Sequence, residues 1–369
     1  MSNKPIRILQ CVSNMDRAGI ETMLMNYYRN IDKEKIQFDF LVNKSKKGAY
    51  DEEINQLGGK IYVSPGLKPF TYSKYLNYLR VLNLKNNYKI IHCQNEVMGY
   101  YALKAAKEIN IPIRISHSHN TTIPSDYKFP IKLYCKSQIE KYANVNVACG
   151  KDAGNFLFRN NFKIIKNAID TDKFIYNTDT RKRIRKNFDI ENKFVIGHVG
   201  RFEKQKNHKF ILKLIKKINI KSNNYIFILV GDGKYFNKFK NKVNKMGLSK
   251  NVIFTGNIPN VNEMYSAFDA FILPSKHEGL PVVGIEAQTC DLICFFSNRV
   301  TREIKILDST KFLKLNSNLW VEELLKLKMR KRKNRKEDVI KDGYDIKAES
   351  KKLTDWYIGL EKGVFNNEK

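Results

Sequence analysis

The chain has 369 residues, 42% hydrophobic and 28% charged, which is room for two domains and the composition of a folded, water-facing protein. No apolar run is long enough to span a bilayer, and the start "MSNKPIRILQCVS" enters a strand pattern without the charged and apolar regions of a signal peptide, so a cytoplasmic chain with no membrane crossing of its own is expected. Lys and Arg number 67 against 37 Asp and Glu, a net charge of +30, so nucleic acid, an anionic membrane surface and anionic small substrates all qualify as partners, with part of the charge expected as a solvated lysine coat.

In chain order the first half gives strand-like runs at "IRILQCV", "FDFLV", "KIYVS", "IIHCQ", "IRISHSH" and "VNVACG". Between them "GIETMLMNYYRNI", "SKYLNYLRVLNL" and "MGYYALKAAKEI" carry helical periodicity. After "KIIKNAIDTDKF", residues 163–174, the scheme restarts with strands "FVIGHVG", "YIFILVG", "NVIFTG", "AFILP" and "LICFFS" and helices "NHKFILKLIKKI", "KYFNKFKNKVNKMG" and "VNEMYSAF". Such alternation argues for parallel sheets covered by helices on both faces, and two rounds argue for two doubly wound α/β domains. The expected division is 1–166, 167–345 and a C-terminal helix within 346–369 packing back toward the N-terminal domain. The segment from Trp320 to the end reads as helical without further strands, and its basic run 326–336 reads as mainly solvated charge. Open parallel sheets bind ligands beyond the carboxyl ends of their strands, so a cleft between two such domains is the expected site.

Cys11, Cys93, Cys135, Cys149, Cys290 and Cys294 are scattered with no Cys-x-x-Cys pair, and most lie in apolar runs. They read as reduced core residues, not as metal ligands.

Two segments carry chemistry. Arg201 and Lys206 stand between a strand and a helix, where a guanidinium fork and an ammonium suit a diphosphate. Taken alone, however, that pair reads better as a solvated loop in a lysine-rich chain, where any six-residue window often holds two basic residues. The second segment, "SKHEGLPVVGIEA" after "DAFILP", puts Glu278 in a loop and Glu286 inside the next helix. Gly279 allows close backbone approach, Pro281 suits a first helical turn, and the N–H groups from Leu280 onward make an anion site. Glu286 at that depth can accept two hydroxyl hydrogen bonds, as from a ribose. Helix-dipole compensation explains one acid near a helix start, but not the glycine, the proline and the strand-end placement together.

With "EGLPVVGIE" preceded by "GRFEKQKN" and "GDG", the chain resembles the retaining glycosyltransferases of family 4, whose hallmark Glu-x7-Glu spacing Glu278 and Glu286 reproduce. "RAGIETMLMNYYRNID", "QFDFLV", "RISHSHNT" and "NAIDTDKF" extend the resemblance to most of the chain and to the subgroup that builds bacterial capsular polysaccharides and exopolysaccharides. The resemblance implies a GT-B fold and a nucleotide-sugar donor, a UDP-sugar by family habit, with no metal. It matches Arg201 and Lys206 to the diphosphate, Glu286 to the ribose, Glu278 to the transferred sugar and Gly256 to the base. Gly19 matches the N-terminal glycine loop facing the donor phosphates and acceptor, and His119 the histidine of the N-terminal domain, with His117 a second claimant. Ala18 and Ala168 stand where the family usually has glycine; if position 168 needs positive φ, alanine is strained there. Asp170-Thr171-Asp172 spells the Asp-x-Asp of metal-dependent glycosyltransferases, but it lies far in sequence from the phosphate residues.

The resemblance also implies a glycan or lipid-linked oligosaccharide acceptor at the inner membrane face. Segment 127–142 offers Lys128, Lys132 and Lys136 four apart, with Phe129, Ile131, Leu133, Tyr134 and Ile139 as apolar contacts, which suits a peripheral anionic interface as well as an ordinary surface helix. Two other readings stand beside this one: a nucleotide-sugar epimerase or glycan phosphorylase on the same architecture, and a basic nucleic-acid binder resting on net charge alone, without a recognisable motif.

Overall fold

The computed structural model describes residues 4–67, 69–123 and 126–363. It contains β1 (Ile6–Val12), α1 (Gly19–Asn30), β2 (Ile36–Val42), α2 (Asp51–Gln56), β3 (Ile61–Val63), α3 (Tyr72–Asn86), β4 (Ile90–Cys93), α4 (Tyr100–Glu108), β5 (Ile113–Ser118), α5 (Phe129–Tyr142), β6 (Val145–Ala148), α6 (Lys151–Leu157) and β7 (Lys163–Ile164). There follow α7 (Thr178–Asn187), β8 (Phe194–Val199), α8 (His208–Lys221), β9 (Tyr225–Val230), α9 (Phe236–Lys245), β10 (Val252–Gly256), α10 (Val261–Ala267), β11 (Ala270–Leu273), α11 (Val282–Thr289), β12 (Ile293–Ser297), β13 (Thr310–Leu313), α12 (Ser317–Leu325), α13 (Lys336–Lys341) and α14 (Ile346–Glu361). They form two compact units, Met1–Ala168 with Asp345–Lys369, and Ile169–Tyr344.

The first unit is a seven-stranded parallel sheet in the order β3-β2-β1-β4-β5-β6-β7. Its strands are rich in Ile, Leu, Val and Phe because both faces are covered, with polar residues such as Arg7, Gln10 and Asp39 set among them. On one face Met25, Tyr28 and Phe38 share a core with Trp356, Tyr357 and Leu360 of α14. On the other, Leu79, Leu103 and Ile139 pack over Leu9 and Ile91. The C-terminal helix is therefore a structural member of the unit that begins the chain. Asp345 starts it by accepting the N–H of Ala348 at 2.9 Å, the bond expected of an Asp N-cap.

The second unit is a six-stranded parallel sheet in the order β10-β9-β8-β11-β12-β13. Phe210, Leu214 and Ile218 recur on one stripe of α8 and bury against Trp320 and Leu324 of α12 and the sheet. Strand order reverses at β1/β4 in the first unit and at β8/β11 in the second, which are the switch points where doubly wound sheets open a ligand crevice.

Several expectations change. The second sheet gains β13, "TKFL", which the sequence reading did not include. The basic run is not helical: residues 327–335 form an irregular strap between α12 and α13. Arg330 and Arg335 both pair with the buried carboxylate of Asp291 at 2.9 Å, and the Lys333 N–H donates to it at 2.8 Å. Arg332 lies over the Tyr176 ring and donates to the Tyr265 carbonyl at 3.0 Å. These arginines staple the second unit internally and are not a solvated face. Ala168 is not among the residues with positive φ, so the alanine there carries no left-handed strain. Ala18 is extended, at φ −124°, and carries no such strain either. All six cysteines are buried. Among the described residues no helix is long and apolar enough to cross a membrane.

Candidate active site

The second unit assembles its candidate residues at the β8/β11 switch point. The loop after β8 carries Arg201 to Asn207 and the loop after β11 carries Pro274 to Pro281. The two are stitched together: Lys276 N–H donates to Gln205 O at 2.9 Å, and Asn207 Nδ2 donates to Pro274 O at 3.1 Å. Asn207 adopts the left-handed conformation at φ 57°, which asparagine tolerates, and opens α8. Lys206 Nζ lies 2.7 Å from Glu278 Oε1, with side chains only 16% and 8% exposed. Gln205 Nε2 donates to the other oxygen, Glu278 Oε2, at 3.1 Å. Both charges are largely withdrawn from water and answer each other.

The floor beneath Lys206 is uncharged. His198 Nδ1 donates to the Ile272 carbonyl at 2.9 Å, and the His208 ring stacks on Phe202 at 3.9 Å. Burial holds their pKa values down, to about 4 and about 2, so both imidazoles are neutral near pH 7. Gly200 permits the close fit: a Cβ there would stand 3.2 Å from the Lys206 stem carbons. Arg201 is exposed, and among the described residues its guanidinium makes no ion pair.

Helix α11 starts at Val282, with Pro281 as its N-cap and not inside its first turn. No side chain caps it, so its first N–H groups remain available. Gly279 and Glu278 sit at its approach, Leu280 is buried, and Glu278 forms a lone parallel bridge with Val300 that fixes the loop. One turn in, Glu286 Oε2 accepts from the Tyr265 hydroxyl at 2.5 Å. Tyr265 is its one hydrogen-bond partner among the described residues. Burial raises the Glu286 pKa to about 7, partly offset by that hydroxyl, which favours the charged form. Tyr265 was missed by sequence reasoning; it lies in "VNEMYSAF" and reads there as a core helix residue. Gly256 ends β10 at φ 65°, and a Cβ there would meet nothing within 4 Å, so its backbone faces open space. Asp170 and Asp172 are taken by Lys173 at 3.2 Å and Lys336 at 2.5 Å.

In the first unit Gly19 is the first residue of α1, just beyond β1, and a Cβ on it would meet nothing within 4 Å. His119 follows β5 and is 7% exposed, whereas His117 is 1% exposed and stacked against His119 with centroids 4.0 Å apart. Glu96 Oε1 accepts the His119 N–H at 2.8 Å, and burial raises the Glu96 pKa to about 8. In segment 127–142 Lys132 is paired with Asp126 at 2.7 Å, Lys136 sits over the Phe156 ring at 4.0 Å, and Ile139 is buried. Tyr127, Ile131, Leu133 and Tyr134 remain exposed.

Comparison with known proteins identifies the family and the fold. The family model for glycosyl transferases group 1 matches residues 179–334. EpsF of Bacillus subtilis (strain 168), which bears a glycosyltransferase name, is 32% identical over 98% of this chain and 99% of its own. The chain therefore belongs to the group 1 glycosyltransferases. An Escherichia coli α-1,3-galactosyltransferase, named for UDP-Gal and GlcNAc-diphosphoundecaprenol, is 26% identical over 75% of this chain and 76% of its own. The crystal structure of Anabaena HepE in complex with UDP matches with a TM-score of 0.73 and 15% identity over 94% of each chain, a likeness of fold: the two parallel-sheet units are those of GT-B enzymes.

Proposed function

We propose that this enzyme is a retaining glycosyltransferase that moves a sugar from a UDP-sugar to a lipid-linked oligosaccharide in surface-polysaccharide synthesis, without a metal. The observation that carries the reading is the set at the β8/β11 switch point: Lys206 paired to Glu278, an uncapped α11 N-terminus, and Glu286 one turn further in. Arg201, Lys206 and the N–H groups that follow Leu280 and Pro281 stabilise the charge developing on the departing diphosphate, while Gly279 lets the backbone approach it. Glu286 accepts the ribose hydroxyls, Glu278 binds the transferred sugar, and Gly256 meets the base. Gly19 and His119 serve the sugar and acceptor from the first unit. Both glutamates have binding roles, so no carboxylate is assigned as nucleophile. The acceptor attacks from the face the diphosphate leaves, and the departing phosphate takes its proton.

The names of relatives support the finer points: the E. coli enzyme is named for a UDP donor and a diphosphoundecaprenol acceptor. A lipid-linked acceptor supports a reaction at the inner membrane face, and the exposed Tyr127, Ile131, Leu133 and Tyr134 are suited to peripheral contact there. The test is incubation with a panel of nucleotide sugars, with and without acceptor. Slow donor hydrolysis or transfer with retained anomeric configuration, unaffected by a chelator, is the expected result. Inverted product, or activity abolished by chelation and restored by manganese, would sink the corresponding part. Epimerised donor in the absence of acceptor would favour the epimerase reading.

A further inference from the structure

Buried polar side chains of the first unit form one continuous chain that ends at His119. Gln10 lies on β1, His92 on β4, His117 on β5, and Tyr357 on α14, while Gln94 and His119 follow β4 and β5. All are buried. The Tyr357 hydroxyl is 2.6 Å from His92 Nδ1 and accepts from Gln10 Nε2 at 3.2 Å. Gln10 Oε1 accepts from Gln94 Nε2 at 3.0 Å, and Gln94 Oε1 faces His119 Nε2 at 2.7 Å. On the other side His92 Nε2 is 3.1 Å from His117 Nδ1.

These pairings have a direction. Gln10 presents a nitrogen to the tyrosine oxygen, so the hydroxyl hydrogen goes to His92 Nδ1. Gln94 presents an oxygen to His119, so His119 donates from Nε2. A neutral imidazole that donates from Nε2 has its lone pair on Nδ1. Burial keeps these rings neutral, with His92 and His119 lowered to about 3 and His117 well below the usual value. His119 Nδ1 has no hydrogen-bond partner among the described residues, and the residue keeps 7% of its surface exposed.

We propose that Tyr357 is a positioning residue: acting from the C-terminal helix through Gln10 and Gln94, it holds His119 in the Nε2–H tautomer so that Nδ1 accepts a hydrogen bond from a sugar hydroxyl. The proposal rests on the glycosyltransferase reading of the site. Each amide in the relay can turn only if its neighbours turn with it, so the tyrosine hydroxyl fixes the far end. Removing that hydroxyl leaves Gln10 Nε2 without an acceptor and frees both amides to reverse.

Proton–nitrogen correlation spectra of the full chain with labelled histidine read the tautomer directly. The wild type is expected to show His119 as Nε2–H alone. Tyr357→Phe is expected to introduce the Nδ1–H form and raise one substrate KM about five-fold with kcat changed by less than about two-fold. Measuring KM for donor and acceptor separately identifies the sugar that His119 contacts. Gln10→Met cuts the relay while leaving Tyr357 on His92, and it reproduces both effects even if the tyrosine variant does not fold. An Nδ1–H tautomer in the wild type, a pure Nε2–H tautomer in both variants, or both KM values unchanged would overturn the proposal. A wild-type chain inactive on every nucleotide sugar would instead sink the glycosyltransferase reading, because the spectra need no turnover.

Discussion

Lys206 and Glu278 hold each other at 2.7 Å from loops that follow neighbouring strands, so the two groups assigned to the donor's diphosphate and sugar are partners of one another in the free enzyme. On that assignment a donor would replace the contact with its own. On the proposed assignment Lys206 would trade a carboxylate for phosphate oxygens, and Glu278 an ammonium for hydroxyls. Replacing Lys206 by Ala should lower kcat by about 10²–10³, the usual loss for one preorganised electrostatic contact. It should also destabilise the fold by stranding Glu278, so thermal melting must accompany the rate measurement. A turnover within a few-fold of wild type would refute the phosphate assignment.

If Glu286 accepts the ribose hydroxyls as proposed, donor binding should depend on pH. Its pKa lies at about 7, and the charged carboxylate is the better acceptor for two hydroxyls. Donor affinity measured by calorimetry should therefore rise as pH increases through about 7. Tyr265→Phe removes the hydroxyl that favours the charged form, so the midpoint should move upward and affinity near neutral pH should fall several-fold. Glu286→Gln should flatten the profile at weak affinity. A wild-type profile without a midpoint near neutrality would contradict the assignment. The effect on stability has the opposite sign: because the folded pKa is raised, the stabilisation is full below the unfolded carboxyl pKa and is lost as pH rises through about 7.

Asp291 should be the most sensitive point of the basic strap. It receives Arg330, Arg335 and the Lys333 N–H on a fully buried carboxylate. Asp291→Asn keeps the left-handed backbone at φ 51°, which asparagine accepts, while it removes the charge and turns one of the two accepting oxygens into an NH2 that faces an N–H donor. The cost should fall near the lower end of the about 3–5 kcal/mol seen when a buried pair is broken, since both arginines can turn back to water. Denaturant unfolding of the full chain measures it; an unchanged midpoint would mean that the strap is held by packing alone.

Leu133 and Tyr134 test the membrane contact. If the exposed apolar residues of α5 and Tyr127 enter an interface, replacing Leu133 and Tyr134 by Ser should reduce sedimentation with anionic vesicles several-fold while leaving turnover on a water-soluble acceptor intact. Absence of wild-type binding at low salt would end the proposal.

The alternating architecture was readable because buried parallel strands must be mostly apolar and their helices must carry one apolar stripe. Glu278 and Glu286 were readable because an acid, a glycine and a proline at a strand end follow a local rule. What escaped depends on partners distant in sequence. Arginines 330, 332 and 335 look solvated until Asp291 and Tyr176 are brought to them. Tyr265 looks like core until Glu286 lies above its hydroxyl. Strand β13 is four residues long, with a lysine in it, and is defined by the edge of β12 and not by its own pattern. Ala168 suggested strain only because a glycine was expected; the backbone there has no need of one.

The C-terminal helix has a consequence for synthesis. The chain leaves the first unit at Ala168 and rejoins it at Asp345, so a ribosome finishes the second unit before it delivers Trp356 and Tyr357 to the first. The second unit is contiguous and can fold as soon as it emerges. The first must wait, with Phe38 and its neighbours lacking part of their cover, until the last helix is made. A message truncated before that helix would leave the first-made half of the enzyme as its unfinished half.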